Sequence, residues 1–353
     1  MCKILFVGGG SIGHIAPAIA VWQEFASVHP NSEAHFICSQ RTEDSNFLLN
    51  QNLPYTTISA PRLSWDLPWK FFKAYRKTSK IIDKFKPDII FSKGGYVSVP
   101  ACFAAHRKGV PIVLHESDTV SGRANWLASH LASRICTGFP TINHGDKYVT
   151  TGNPIRTNIT NGTREEGLRI TGFSGTRPVL LVIGGSQGAQ ALNTATSELL
   201  TDLKDVCDII HITGRGKGEE TSTANYWAKP FIEEELKHLY AITDIALSRA
   251  GAGSISELAA NSIASILVPL RGVGHDHQQK NAEYVKQEGG CILLQQNVLQ
   301  EKLCALIKQL TEDDELRSKL SNGIHALHQK NAPQKIQRVL EETLSKKLNS
   351  PRL

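Results

Sequence analysis

Ile4-Leu5-Phe6-Val7-Gly8-Gly9-Gly10-Ser11-Ile12-Gly13-His14 decides the fold. An apolar run ends in glycines, and a helical pattern follows. Glycine lets backbone approach a ligand closely, and a helix N-terminus presents unpaired N–H groups to an anion. The same grammar returns at Val179-Leu180-Leu181-Val182-Ile183, leading into Gly184-Gly185-Ser186-Gln187-Gly188-Ala189. Two such turns predict two nucleotide-fold lobes, facing across a cleft that holds a phosphate-bearing ligand.

Outward from these turns, the chain alternates strands and helices. In the first half Lys3–Val7, Ala34–Cys38, Asp88–Ser92, Pro111–Leu114 and Arg134–Thr137 read as strands. Pro17–Ser27, Trp69–Phe85, Val99–Lys108 and Ala124–Ala132 have helical periodicity. This alternation predicts an α/β, doubly wound parallel sheet covered on both faces. It pauses at Gly152-Asn153-Pro154-Ile155-Arg156 and the polar stretch Thr157–Arg169, which we read as a linker. A second series begins at Val179, with Cys207–Ile212, Ile245–Ser248, Ser265–Val268 and Cys291–Leu294 as later strands. The expected domains are therefore 1–157 and 158–333. An amphipathic segment, Gln334–Leu348, follows Pro333 and is expected to rejoin the first domain as a helix within 334–353.

The length of 353 residues, with 41% apolar and 20% charged residues, suits two folded domains. There is no apolar run of about eighteen residues, the length a membrane-crossing helix needs. The N-terminal apolar run ends in glycines without a small-residue cleavage site, so it reads as a strand and not as a signal peptide. Seven cysteines stand singly and no CxxC pair occurs, which argues against zinc and for a reducing, cytoplasmic compartment. The net charge of +6 suits phosphate-bearing ligands, an anionic membrane surface or nucleic acid, and also ordinary solubility.

Each motif has a functional and a structural reading. Gly8–Gly13 fits GxGxxG, a weak signal alone. After the second strand the chain offers Ser39-Gln40-Arg41 in place of the acid that binds ribose; Arg41 would suit a 2′-phosphate, which keeps an NADP enzyme among the alternatives. His14 is a candidate general base or phosphate donor, or a helix-capping histidine. Ser92-Lys93-Gly94-Gly95-Tyr96-Val97-Ser98 is another backbone cradle or a tight strand–helix turn. In His115-Glu116-Ser117-Asp118 the first two can bond backbone around the turn, and Asp118 is the better ligand for sugar hydroxyls.

In the second half, Ser248-Arg249-Ala250-Gly251-Ala252-Gly253-Ser254-Ile255-Ser256-Glu257 ends a strand in small residues and opens a helix suited to a diphosphate. Glu257, one turn in, is placed for ribose hydroxyls; the alternative is a capping box of Ser254 with Glu257. Gln279 and Asn281, in Asp276-His277-Gln278-Gln279-Lys280-Asn281-Ala282, offer amides to sugar hydroxyls. His275, Asp276 and His277 match no zinc spacing, and the chain has no Asp-x-Asp pair, so no metal is expected. Gly-x-Ser-x-Gly occurs in both glycine turns, but its duplication favours a backbone cradle over two hydrolase nucleophiles, and no Walker A lysine motif is present. Trp65, Trp69, Phe71 and Phe72 stand among Lys70, Lys73, Arg76, Lys77, Lys80, Lys84 and Lys86. This composition suits an anionic bilayer interface; the alternatives are a buried aromatic face beside solvated lysines, or nucleic acid.

Taken in order, these motifs resemble the MurG family, glycosyltransferases of the GT-B architecture, over nearly the whole chain. The match rests on the first turn with His14 and Pro17, Gly94–Ser98, His115-Glu116, Gly152–Arg156, Gly184–Ala189, Gly251–Glu257 and His277–Ala282. The resemblance implies inverting transfer of N-acetylglucosamine from UDP-N-acetylglucosamine to the muramyl sugar of lipid I, giving lipid II, in peptidoglycan synthesis. It implies a peripheral enzyme at the cytoplasmic face of the cell membrane, with no required cofactor, no metal and no nucleic acid. It also implies roles. Ser11, Ile12 and Gly13 fall at the first turn's sugar-nucleotide contacts, with Tyr96 nearby. Arg156 and Ser186 lie on the diphosphate side, and Ile232 holds uracil through backbone. Ala252, Gly253, Ser254, Ile255, Ser256 and Glu257 surround diphosphate and ribose, and Gln279 and Asn281 face the donor sugar. His14 is the first choice of base and Asp118 the second. Two departures stand out. The family turn Gly-Gly-Thr-Gly-Gly-His has Ser11 for threonine and Ile12 for glycine, and the usual His-Glu-Gln-Asn reads His115-Glu116-Ser117-Asp118. The alternatives are another UDP-sugar enzyme of the same fold, such as a glycolipid glycosyltransferase or a UDP-N-acetylglucosamine 2-epimerase, and a non-catalytic sugar-nucleotide sensor.

Overall fold

A computed structural model of the chain describes all residues except 11, 60–66, 142–144, 157, 186–187, 273–275 and 350–353, and not the side chains of 12, 67 and 347–349. The chain divides into two compact units, Met1–Arg156 with Gln329–Leu353, and Thr157–His328.

Unit 1 runs β1 (Lys3–Val7), α1 (Ile12–Val28), β2 (Glu33–Ser39), α2 (Thr42–Asn50), β3 (Tyr55–Ile58), α3 (Leu67–Phe85), β4 (Ile89–Ser92), α4 (Ser98–Arg107), β5 (Ile112–Glu116), α5 (Arg123–Leu131), β6 (Arg134–Thr137) and β7 (Tyr148–Thr150). The strands form one parallel sheet in the order β3-β2-β1-β4-β5-β6-β7. Alternate residues feed opposite faces. Ile4, Phe6, Phe36, Phe91 and Val113 pack with α1 on one face. Leu5, Val7, Ile37, Ile90, Ile112 and Leu114 pack with residues of α3, α4 and α5 on the other.

Unit 2 runs α6 (Arg164–Thr171), β8 (Val179–Ile183), α7 (Gln190–Leu203), β9 (Asp208–Ile212), β10 (Thr221–Ser222), β11 (Tyr226–Lys229), α8 (Leu236–Tyr240), β12 (Ile245–Ser248), α9 (Ala252–Ala260), β13 (Ala264–Leu267), α10 (His277–Gln287), β14 (Cys291–Leu293), α11 (Leu299–Glu312) and α12 (Asp314–Ala326). Its sheet has the order β10-β11-β9-β8-β12-β13-β14, with only the β10–β11 pair antiparallel.

The last helix, α13 (Ala332–Asn349), returns to unit 1. Ile336, Val339 and Leu340 enter the same core as α1, and Gln334 donates to Glu24 at 2.7 Å.

In each sheet the winding reverses beside the first strand. The switch falls between β1 and β4 in unit 1 and between β8 and β12 in unit 2. At such a point the loops leaving neighbouring strands diverge and open a crevice for ligands. Register pairs Val7 with Ser92 and Ile183 with Ser248, so each glycine turn lies beside a second loop from the neighbouring strand. Two expectations are revised. The helix read from Pro17 starts at Ile12, so Pro17 lies inside it, where its missing N–H leaves the carbonyl four residues back without a helical donor. Strands β3, β7, β10 and β11 were not foreseen, because three of them are short and part-exposed and the fourth carries lysine and tyrosine.

Candidate active site

In unit 1 the first glycine turn is braced from behind. Asp44 is fully buried on α2, and its Oδ2 accepts from the Gly10 amide at 2.7 Å and the Ser39 hydroxyl at 2.6 Å. Arg41 donates to the Gly10 carbonyl at 2.8 Å. A Cβ on Gly9 would come within 2.6 Å of the Ser39 nitrogen, so this close approach requires glycine. The Gly10 amide is thus already bonded to a carboxylate, and Arg41 is turned to the backbone; neither is disposed as a dinucleotide site needs.

His14 sits at the mouth of α1. Its Nδ1 lies 3.0 Å from the Gly9 carbonyl, which can only accept, so Nδ1 carries the proton and Nε2 the lone pair. Burial, and then the Lys93 ammonium, push its pKa below the usual 6.5; the Gly9 bond, Asp118 and Asp44 pull the other way. Gly95 closes over the ring with φ +81°; a Cβ there would stand 3.0 Å from the Gly9 oxygen and 3.1 Å from His14 Nδ1. Gly9, Gly10, His14, Arg41, Gly95 and Tyr96 line a surface depression, and the Tyr96 side chain is exposed.

Behind His14 lies a buried polar cluster. Lys93, 2% exposed, donates to His115 Nδ1 at 3.0 Å and to the Ser117 hydroxyl. His115 Nε2 then donates to the Gly152 carbonyl at 3.0 Å, which fixes a neutral ring. Burial, and then Lys93, keep its pKa well below 6.5. Asn153 donates to the Ser117 carbonyl at 3.1 Å. His115 and Ser117 therefore clamp the segment that carries Arg156. Glu116 is raised above the ordinary carboxylate range by burial, although Asn125 donates to it at 2.9 Å. It also accepts from the Asp118 amide at 3.2 Å, which shapes the turn presenting Asp118.

In unit 2 the matching segments are those that leave β8 and β12. Gly188, at φ +65°, passes so close to the Thr213 carbonyl that a Cβ would lie 2.3 Å from it. Asn193 on α7 holds that carbonyl at 2.9 Å and accepts from His211 Nε2 at 3.0 Å, and the Tyr226 hydroxyl meets His211 Nδ1 at 3.0 Å. Helix α9 begins at Ala252 after Gly251, with no side-chain cap. Open space surrounds Gly251 and Gly253. The first-turn amides of Ala252, Gly253 and Ser254 have no intrahelical acceptor, and the helix dipole adds partial positive charge there. The capping box of Ser254 with Glu257 does not form, because the helix starts two residues before Ser254. The Ser256 hydroxyl bonds back to the Ala252 carbonyl at 2.8 Å, and Ile255 is buried. Tyr240 donates to Glu257 Oε2 at 2.9 Å, orienting the carboxylate.

The remaining candidates divide. Gln279 is mostly buried; its oxygen accepts from Arg271 and Gln295, each at 3.3 Å, and its amide donates to Glu283 at 3.0 Å. Asn281 is fully buried and donates to the Ala250 carbonyl at 3.1 Å, so it braces the β12–α9 turn from behind. Ile232 is buried. Ser11 and Ser186 lie outside the described residues, as do Trp65 and His275. Asp44, Lys93, Asn125 and Tyr240 were not singled out from sequence. Lys93 alone carried a signal, as a polar residue ending a parallel strand; the others reach the site only through tertiary packing. Among the described residues no group of three or more His, Cys, Asp or Glu is placed to hold a metal ion.

The outer face of α3 exposes Trp69 and Phe72 beside Lys70, Lys73, Arg76, Lys77 and Lys80, which line a shallow apolar groove. The Arg76 guanidinium lies 5.5 Å from the Phe72 ring centre. Phe71 is partly buried and meets the exposed Phe103 ring edge-on at 5.7 Å. Among the described residues no helix is long and apolar enough to cross a membrane.

Comparison with known proteins agrees with this geometry. Residues 4–137 match the glycosyltransferase family 28 N-terminal domain and residues 179–339 the family 28 C-terminal domain. The chain is 34% identical to the UDP-N-acetylglucosamine–N-acetylmuramyl-(pentapeptide) pyrophosphoryl-undecaprenol N-acetylglucosamine transferase of Clostridium kluyveri, over 97% of this chain and 99% of the relative. The crystal structure of Acinetobacter baumannii MurG superposes with a TM-score of 0.76 at 25% identity, covering 97% of this chain and 100% of the other. A UDP-GlcNAc 2-epimerase from Neisseria meningitidis, 16% identical, covers 98% of this chain and 100% of its own at a TM-score of 0.68, and shares the fold alone. Two parallel α/β units of the GT-B type, each with its glycine turn at a switch point, and full-length similarity to a named transferase place the chain in the MurG family of glycosyltransferases.

Proposed function

We propose that this protein transfers N-acetylglucosamine from UDP-N-acetylglucosamine to the N-acetylmuramyl sugar of undecaprenyl-pyrophosphoryl-N-acetylmuramyl-pentapeptide, with inversion. The observation that carries the mechanism is the His14 tautomer. The Gly9 carbonyl holds Nδ1–H, so the lone pair of Nε2 is available to take the proton of an acceptor hydroxyl. The acceptor oxygen forms its bond to the anomeric carbon as the bond from that carbon to the β-phosphate oxygen breaks. Its electron pair leaves with UDP, and the proton ends on His14. A lowered pKa keeps the imidazole neutral, and so competent, at neutral pH. Asp118, whose charge favours the His14 imidazolium, is the alternative acceptor of the proton.

Unit 2, together with Arg156 at the end of the first segment of unit 1, supplies the leaving-group side. The first-turn amides of α9 at Ala252, Gly253 and Ser254, with Arg156 and Ser186, offset the charge that develops on the diphosphate. Glu257, oriented by Tyr240, accepts from the ribose hydroxyls. Ile232 holds uracil through backbone, and Gln279 faces the donor sugar once it exchanges a present partner for a sugar hydroxyl. Asn281 acts from behind, by fixing Ala250. Ser11, Ile12 and Gly13 contact the sugar nucleotide from the first turn, with Tyr96 nearby. The residues present supply charge stabilisation from amides and cations, so the reading needs no cofactor and no metal.

The α3 face docks the protein on the cytoplasmic surface of the cell membrane, where the lipid-linked acceptor lies. Exposed Trp69 and Phe72 enter the headgroup region while the surrounding lysines and arginine meet anionic lipid. The test is incubation with labelled UDP-N-acetylglucosamine and a lipid I analogue. Formation of UDP and the disaccharide lipid supports the reading. Release of free sugar alone, or an epimerised donor, overturns it.

A further inference from the structure

Lys93 is a buried cation that the reaction as described does not use. It directly follows β4, and its amide donates to the Val7 carbonyl at 2.8 Å. A Cβ placed on Gly8 would touch Lys93 Cβ at 3.2 Å and His14 Cβ at 3.6 Å, so the two side chains flank one glycine. The ammonium is bonded to His115 and Ser117, the two residues that lead to Asp118. A lysine with 2% exposure is costly to bury, and burial lowers its pKa to about 8, with Glu116, Asp118 and Cys136 opposing that shift.

We propose that Lys93 is a positioning residue for the acceptor chemistry: its ammonium sets the electrostatic field at His14 and pins the turn that presents Asp118. The inference rests on His14 as base. The charged groups facing His14 come from three elements. Lys93 follows β4, Asp118 follows β5, and Asp44 lies on α2. Lys93 disfavours the imidazolium, whereas both carboxylates favour it. The Asp118 departure from the family's asparagine adds a negative charge beside the base, and Lys93 supplies the opposing positive charge within the same unit. The pair lets His14 stay neutral despite that carboxylate.

The test reads charge state and turnover separately. In histidine-labelled protein, the His14 imidazole is assigned by its loss in His14→Gln and titrated by NMR in wild type, Lys93→Met, Asp118→Asn and the double variant. Methionine keeps the unbranched chain and removes the charge. We expect the His14 titration to move up by about one pH unit in K93M, down in D118N, and back towards wild type in the double variant. The acid limb of kcat in K93M follows the same direction. Lys93→Arg, which keeps the charge, leaves the limb in place. A His14 titration that stays within about 0.2 unit in K93M overturns the proposal. Should K93M not fold, D118N decides alone, since Lys93 is then less opposed; an unmoved His14 there overturns it too. A shifted imidazole with an unmoved kcat limb upholds the field that Lys93 sets at His14 but overturns His14 as base, and with it the role of Lys93 in the acceptor chemistry.

Discussion

His14 Nδ1 lies 3.0 Å from the carbonyl of Gly9, a residue whose own backbone is pressed against Ser39 so tightly that no side chain fits. One contact thus joins the glycine requirement of the turn to the tautomer of the histidine. His14→Ala is expected to abolish turnover while UDP binding, measured by calorimetry, is retained. The pH profile follows from the sign of the shift. A base works when unprotonated, and burial with Lys93 lowers its pKa, so kcat should hold as pH falls to 6.5 and decline only below it. An acid limb above 6.5 in the wild type would falsify the assignment.

Gly95 offers a test that leaves every reacting group in place. Its φ of +81° lies in the left-handed region, and a Cβ would press on the Gly9 oxygen and the His14 ring. Gly95→Ala combines backbone strain of about 1 kcal/mol or more with displacement of His14. A misplaced base lowers kcat by roughly ten- to a hundredfold. UDP affinity should change far less, because the α9 amides and Glu257 that hold the nucleotide lie in unit 2. Equal loss of both would point to unfolding, which circular dichroism would reveal.

The buried strands and the loops at their carboxyl ends were legible from sequence, because a parallel sheet covered on both faces leaves continuous apolar runs such as Val179–Ile183. Polar, part-exposed strands such as Thr221–Ser222 carry no such run. The site was legible wherever backbone geometry dictates the residue, as at Gly9 and Gly95. It was not where a side chain arrives from a distant element. Asp44 reads as an ordinary acid in the first turn of α2, and only the fold brings it to Gly10. A capping box of Ser254 with Glu257 was the alternative reading, because Ser-x-x-Glu is a capping pattern; the helix starts earlier, after Gly251, and leaves Ser254 to contribute a first-turn amide.

Tyr240 positions Glu257 through one hydrogen bond of 2.9 Å. Tyr240→Phe removes that bond and little volume. A hydrogen bond to a carboxylate contributes about 1.5–3 kcal/mol at most, and the freed oxygen can recover part of it from water. We expect UDP-N-acetylglucosamine to bind roughly five- to tenfold more weakly, about 1 kcal/mol. The 2′- or 3′-deoxyribose analogue, which lacks a hydroxyl for Glu257, should lose much less on the same substitution. Equal losses for both nucleotides would separate Glu257 from the ribose.

His211 makes stability depend on pH through unit 2. It is 1% exposed between Asn193 and Tyr226, and burial lowers its pKa from 6.5 to about 4. The unfolded chain takes up this proton near pH 6.5, whereas the folded chain resists until about 4. Stability from this residue is therefore complete above 6.5 and drains away as pH falls between those values, by about 3 kcal/mol in total. Thermal unfolding across that window should show His211→Gln less stable at neutral pH but with a shallower acid decline than wild type. Parallel slopes would assign the loss to other groups.

The α3 face gives the last expectation. Trp69 is 78% exposed and Phe72 48%, an unusual placement for large apolar side chains beside five cations. Trp69→Ser with Phe72→Ser should reduce binding to vesicles of anionic lipid by about a hundredfold or more, since each ring removes roughly 1.5–3 kcal/mol of burial. Replacing Lys73, Lys77 and Lys80 with glutamine should weaken the same binding and flatten its salt dependence, at about 1 kcal/mol per cation. Turnover on a water-soluble acceptor analogue should be untouched by either set, because α3 contributes no residue to the site around His14. Vesicle binding that survives both sets would move the membrane contact elsewhere on the protein.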